Sequence, residues 1–278
     1  IVVNFGSHVS TRNGYLGAAA TALRIGGKSF QYFPKNPRSL MTKDFNRRDA
    51  QACAEYCKQH GLLSIGHSAY PTNLAVDPGE TRDMIERSIM NDLHIAEACA
   101  SIGTVVHFGK YTGTDPLQGY KNILTLLNKV AAQWQGNALI LVENQAGTGN
   151  KMGVTIEEMV QIRSLCTEPE KIGFCFDTCH AFASGLWKGD NWPEIEAKGH
   201  ALRFWDHVKA IHLNDSVYPA ESFRDRHANI GKGYIGTPHM KQFLQSPFLK
   251  SLPIVLETPN LPKYSHQDEI AFLQQLVC

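Results

Sequence analysis

Eight short segments rich in Val, Ile, Phe or Leu recur along these 278 residues, separated by longer stretches whose apolar residues repeat at helical spacing. The strand-like segments fall at Val2–Val9, Ser29–Pro34, Ser64–Tyr70, Val105–Gly109, Leu139–Asn144, Gly173–His180, Lys209–Asp215 and Ile254–Asn260. Between them, Thr81–Ser101 carries Met84, Ile85, Ile89, Leu93 and Ile95 in a broadly 3.6-residue pattern, and Tyr120–Trp134 and Thr155–Leu165 repeat it. Thr155 followed by Glu158 predicts a capping box at the start of the last of these. Strands alternating with helices predict parallel βαβ units. Eight such units in a chain of this length predict a closed (β/α)8 TIM barrel, an α/β fold that ordinarily takes about 250 residues. No Ser/Gly-rich linker or shift in composition divides the chain, so residues 1–278 are expected to form one barrel domain.

Composition narrows the function classes. Hydrophobic residues at 43% with 19% charged are too apolar for a disordered chain, while no apolar run reaches the ~18–20 residues of a membrane span. The formal net charge of +1 announces no nucleic-acid partner, so any affinity for phosphate has to be local. Seven cysteines form no C-x2-C pair and are odd in number, which reads as free thiols in a reducing compartment. The opening at Ile1–Phe5 is strand-like, so no secretory leader is expected; a cytoplasmic, monomeric protein is.

Chemistry-bearing residues recur at one place in each unit. The third predicted strand runs into His67, the fourth into His107, the fifth into Glu143 and Asn144, and the sixth into Asp177 and His180. The seventh carries His212, Asn214 and Asp215, and the eighth runs into Glu257. In a parallel barrel those ends open on one face, where active sites are built. One histidine or carboxylate at a strand end is ordinarily a hydrogen-bonded core or capping residue. Six converging on one bowl are different, because carboxylates brought together repel unless something positive lies between them. A bound metal is that something. Asp225-Arg226-His227, in the long irregular stretch Asp215–Thr237, puts a carboxylate and an imidazole on one side of an extended segment and forms a further metal pocket with His180. Histidine and carboxylate ligands without cysteine suit Zn2+, with Mn2+ or Fe2+ as alternatives. Cys179 reads as a core thiol.

The strings GSHVS (Gly6–Ser10), FCFDTCHAFASG (Phe174–Gly185), HLNDS (His212–Ser216), DRHANIGKGYIG (Asp225–Gly236) and LET (Leu256–Thr258) closely resemble the endonuclease IV family over essentially the whole chain. The resemblance implies hydrolysis of duplex DNA on the 5′ side of abasic sites, leaving a 3′-hydroxyl, and removal of 3′ blocking groups. It also implies three zinc ions on nine ligands. His67, His107 and Glu143 would hold the first; Glu143, Asp177, His212 and Glu257 the second; His180, Asp225 and His227 the third. Glu143 is the implied catalytic residue, orienting the attacking hydroxide. Four carboxylates against three divalent ions leave the cluster at about +2 in formal charge, a local attraction for phosphate. Arg38 and Tyr70 match residues that enter the DNA at the lesion. Pro71, Leu40, Phe108 and Gln145 depart from the family's pattern; these departures leave the metal ligands intact but alter the DNA-opening loops, so activity is expected to be weaker or lesion choice shifted.

A second reading stays open. The four residues Glu143, Asp177, His212 and Glu257 also resemble the metal site of sugar isomerases and epimerases of the xylose-isomerase-like barrels. Those enzymes would have no use for His67, His107, His180, Asp225 and His227. A third reading is a catalytically impaired barrel that binds DNA or a protein partner through the same rim.

Overall fold

The computed structural model describes residues 3–278, so the predicted strand start at Val2 lies outside the described residues. In chain order the elements are β1 (Asn4–His8), α1 (Gly14–Arg24), β2 (Ser29–Tyr32), α2 (Arg47–His60), β3 (Leu63–His67), α3 (Glu80–Ala98), β4 (Gly103–His107), α4 (Pro116–Gln133), β5 (Leu139–Glu143) and α5 (Ile156–Leu165). There follow β6 (Ile172–Asp177), α6 (Thr178–Ala183), α7 (Trp192–Ala201), α8 (Phe204–His207), β7 (Val208–Leu213), β8 (Asp215–Ser216), β9 (His227–Ala228), α9 (Thr237–Leu244), β10 (Pro253–Leu256) and α10 (His266–Leu276). Eight strands close a parallel barrel in the order β1-β10-β7-β6-β5-β4-β3-β2, as the alternation predicts. No helix among the described residues is long and apolar enough to cross a membrane.

Two apolar compartments hold this arrangement. Between strands and helices lies the large core, in which Phe174, Phe176, Trp187, Trp192, Phe204 and Phe243 pack together. Inside the barrel is a small separate cluster of Ile65, Val105, Leu141, Cys175, Ala210 and Val255, one residue from each of six strands. Because alternate strand residues face opposite sides, the residue two positions further along each strand also faces inward. That register positions the site described below.

Local chemistry sets where the elements stop. The sixth predicted strand runs to His180, but β6 ends at Asp177, whose side chain accepts from His180 N and caps α6. An N-cap carboxylate thus ends the strand early and starts a short helix. The third predicted strand runs to Tyr70, whereas β3 ends at His67 and the chain turns, with Thr72 N bonded to Ala69 O. The fourth helix starts four residues before the predicted Tyr120, at Pro116, because the Asp115 side chain caps Leu117 N and proline fits the first helical turn. The Thr155–Glu158 capping box is present as the sequence predicts. The stretch Asp215–Thr237 is not wholly irregular, since β8 and β9 pair antiparallel within it.

On β1, Gly6 lies beside Ser29 of β2, and a Cβ on Gly6 would come within 1.7 Å of the Ser29 carbonyl oxygen. No side-chain rotation relieves contact with backbone. Gly6→Ala is therefore expected to destabilise the protein by about 3 kcal/mol, the upper part of the usual overpacking range, in urea denaturation. An unchanged midpoint would show that the β1–β2 pairing adjusts freely.

Candidate metal centre

The barrel strands alternate, and the inward layer above the apolar cluster is the site. Two residues beyond Ile65 is His67, beyond Val105 is His107, and beyond Leu141 is Glu143. Two beyond Cys175 is Asp177, beyond Ala210 is His212, and beyond Val255 is Glu257. All six converge as the sequence predicts, above a sealed apolar floor. His8, His67, His107, Glu143, His180, Asp225, His227 and Glu257 line a cavity of about 400 Å³ at the carboxyl ends of the strands.

The nine expected residues form three groups whose donor atoms lie within 4.8 Å of one another: His67 with His107 and Glu143; Glu143 with Asp177, His212 and Glu257; and His180 with Asp225 and His227. Glu143 belongs to two of them. His107 Nε2 stands 3.5 Å from Glu143 Oε2, and His212 Nδ1 stands 2.7 Å from Glu143 Oε1 and 3.1 Å from Glu257 Oε1. His180 Nε2 and His227 Nε2 approach the two oxygens of Asp225 at 3.0 and 3.2 Å.

Imidazole orientation tests whether this donor set fits a metal. A ligating histidine ordinarily donates its other ring N–H to an oxygen, which leaves a lone pair for the ion. His67 Nδ1 donates to Ser68 O, His180 Nδ1 to Asn144 O and His227 Nδ1 to Glu257 O, so each turns Nε2 into the bowl. His212 is reversed, with Nδ1 facing the carboxylates. The buried atoms Glu143 Oε2 and His227 Nε2 have no hydrogen-bond partner, the 3.2 Å approach of Asp225 being poorly aligned for one. Buried polar atoms are normally satisfied, so two orphans pointing into one cavity fit an ion there.

Residues to which the sequence assigned no role hold the ligands in place. Asn144 brackets Asp177 by accepting from its N–H and donating to its carbonyl. Asn214 Nδ2 donates to both Asp177 and Glu257, while its Oδ1 accepts from Glu257 N. Asp215, fully buried, accepts from the backbone N–H groups of Ser216, Gly231, Ile235 and Gly236, folding the loop that carries Asp225 and His227. Glu269 of α10 accepts from Ile230 N, Asn229 and Thr258, tying that loop to the residue after Glu257. Asn214 and Asp215 stand in the HLNDS string, which was the available signal. Glu269 lies in an ordinary helical stretch and gave none.

Electrostatics follow from this crowding. Burial alone would raise the Glu143 carboxyl, but His212 and His107 outweigh it and hold it below the ordinary carboxylate range. Glu257 is likewise drawn down to about 2, chiefly by His212 against the opposing effect of burial. Burial disfavours charge on His227, yet the neighbouring carboxylates of Asp225, Asp177 and Glu257 raise it to about 9. His67, buried and beside His107, is pushed down to about 4. Cys179 is buried and burial drives its thiol upward, in keeping with a core thiol.

At the rim, Tyr70 is 62% exposed, lines the cavity and meets Phe33 edge-on at 5.4 Å between ring centres. Arg38 is exposed on the neighbouring loop and does not line the cavity; Tyr70 N donates to Pro37 O at 2.7 Å and joins the two loops. Phe108 is wholly buried, so its departure from the family's pattern concerns packing. Gln145 bridges the loops after β4 and β5 by bonding Gly109 N, Gly109 O and Met152 O.

Comparison with known proteins gives the class first. Residues 19–276 match the model of the xylose isomerase-like TIM barrel family. Probable endonuclease 4 of Symbiobacterium thermophilum is 36% identical over 99% of this chain and 100% of its own length. Apurinic-apyrimidinic endonuclease 1 of Plasmodium berghei is 32% identical over 93% of this chain and 52% of its own length. The crystal structure of endonuclease IV from Thermus thermophilus superimposes with a TM-score of 0.85 at 29% identity, covering 99% and 98% of the two chains. A D-tagatose 3-epimerase-like protein, at 15% identity and a TM-score of 0.69 over 98% and 97%, shares the fold alone. This chain belongs to the endonuclease 4 family.

The imidazole charges give a pH prediction for the metal-free protein. The folded pKa of His227 lies above the unfolded value of 6.5, so its stabilising contribution is complete below pH 6.5 and is lost as pH rises through about 9. Thermal unfolding after chelation is expected to show a falling melting temperature across that window, with a shallower slope in His227→Asn. Equal slopes in the two proteins would remove His227 from the account.

Proposed function

We propose that this protein is a zinc-dependent endonuclease that hydrolyses the phosphodiester 5′ to abasic sites in duplex DNA, leaving a 3′-hydroxyl, and that it also removes 3′ blocking groups. The observation that carries the reading is the set of nine converging ligands, five more than the four-ligand isomerase and epimerase site calls for. The family assignment supports it independently. Three zinc ions per chain would sit in the three groups described above, with the residues 1–278 acting as one barrel domain. When bound, they would supply Lewis-acid polarisation of the scissile phosphate and acidify a water near it.

The chain's own residues account for the rest. Glu143 contributes one oxygen toward His212 and leaves Oε2 buried without a partner, placed to orient the attacking hydroxide. Asp177 spends Oδ1 on capping α6, which leaves Oδ2 directed among His180, His212 and His227. Phosphate attraction arises from the loaded cluster, since the whole chain carries only +1. The target nucleotide has to leave the base stack to reach the bowl, and that costs least where the base is already missing. Arg38 and Tyr70 contact the DNA in this reading, Tyr70 offering an exposed ring for stacking at the gap and Arg38 reaching the groove beside it.

Incubation with a labelled duplex holding one abasic-site analogue tests this. Cleavage on the 5′ side is expected, abolished by chelation, restored by Zn2+ and absent from the intact duplex. A fully metallated protein that leaves the abasic duplex uncut would sink the proposal. Glu143→Gln is expected to lower the single-turnover rate by about 10²-fold, the usual cost of misplacing a reacting group. Tyr70→Ala is expected to weaken binding of the abasic duplex by about 1–3 kcal/mol, the usual worth of one stacked base, while metal content stays unchanged.

A further inference from the structure

The inward layer contains two members outside the nine proposed ligands. Two residues beyond Gly6 on β1 is His8, and two beyond Ser29 on β2 is Gln31, which pairs with His8 in the strand register. Gln31 is completely buried, and every polar atom of its side chain is used. Its Nε2 donates to Glu257 Oε2 at 2.9 Å and lies 3.1 Å from His8 Nδ1, while its Oε1 meets His212 Nε2.

One of these contacts fixes the sense of the others. Glu257 as a carboxylate can only accept, so the amide must present its NH2 there and its carbonyl to His212. That carbonyl can only accept, so His212 Nε2 must carry a proton. The remaining amide hydrogen meets His8 Nδ1, which must therefore accept and leave the His8 proton on Nε2. A single neutral side chain thus sets the protonation pattern of two imidazoles and anchors a carboxylate. Among the three proposed ligand histidines whose far N–H has a stated acceptor on the backbone, His67, His180 and His227, all turn Nε2 inward. His212 alone meets a side chain in that role, and it is also reversed, with Nδ1 toward Glu143, Asp177 and Glu257.

We propose that Gln31 is a positioning residue for the group Glu143, Asp177, His212 and Glu257, holding His212 in the Nε2–H tautomer so that its Nδ1 lone pair is free for a metal ion. This inference rests on the metal reading of the site but not on the identity of the substrate. The amide acts through His212 and Glu257 and touches neither the ion nor the DNA.

The test uses the zinc-loaded protein labelled with 15N-histidine, with His212→Asn serving to assign the His212 signals. Wild type is expected to show a slowly exchanging His212 Nε2–H and no proton on Nδ1. In Gln31→Leu, similar in size and unable to bond, that Nε2–H signal is expected to broaden into fast exchange. One zinc per chain is expected to weaken by about 10–100-fold in chelator competition, the usual effect of removing such a partner. Gln31→Glu, which keeps an acceptor for His212, is expected to retain the signal. Should Gln31→Leu keep both the protected signal and wild-type affinity for all its zinc, the proposal is overturned. Should Gln31→Leu fail to fold, loss of the protected signal in Gln31→Glu overturns it as well. Cleavage of the abasic duplex by the wild type is scored separately, so a wrong substrate and a wrong role for Gln31 give different results.

Discussion

Everything in this molecule is arranged around the cost of gathering four carboxylates and five imidazoles in one bowl with little water. Taking such groups out of solvent costs several kcal/mol apiece unless each finds a partner of opposite charge and its remaining lone pairs and protons are satisfied. The barrel meets the first condition by convergence. His212 stands against both Glu143 and Glu257, and His180 and His227 stand against Asp225. It meets the second with buried amides, Asn144 and Asn214 around Asp177 and Gln31 beside Glu257. Without an ion, protons on the imidazoles do the neutralising, which is why His180 and His212 are driven well above their ordinary value and His227 to about 9. In the proposed reading, an ion entering the bowl would replace protons that are already there.

Two layers of a strand do two jobs. Ile65, Val105, Leu141, Cys175, Ala210 and Val255 plug the barrel, and the residues two further on are the converging carboxylates and imidazoles. The packed layer gives the polar layer a rigid base, and side chains on strands hold position better than side chains on loops. The third group is built differently. His180 is placed by a six-residue helix that Asp177 caps, while Asp225 and His227 lie on a loop folded around the buried Asp215. The same Asp177 therefore closes one group and starts the element that supplies the next.

Much of this was legible in the sequence because strand periodicity is strict. A polar residue two positions after an inward apolar one, repeated on six strands, identifies the bowl, and the DTCHA and DRH strings identify the third group. What was not legible follows equally from physics. Gln31 carries no charge and sits in a run, Phe30-Gln31-Tyr32, that reads as ordinary buried strand. Glu269 is one carboxylate among many on helices, and only the folded chain brings it to Ile230 and Thr258. The end of β6 is not legible because an aspartate that caps a helix and one that ends a strand look alike until the next turn of chain is seen. Arg38 and Tyr70 were legible as motif positions, but the Tyr70–Pro37 hydrogen bond that joins their loops has no side-chain signature at all.

The separation of strand-borne and loop-borne residues bears on how such a protein can diverge. Pro71 and Leu40, two of the positions that depart from the family's pattern, lie on segments that contribute no residue to the inward layer. Substitution there leaves the register of β2 and β3 untouched. Selection can therefore rewrite the outline of the mouth while the inward layer of carboxylates and imidazoles is inherited unchanged.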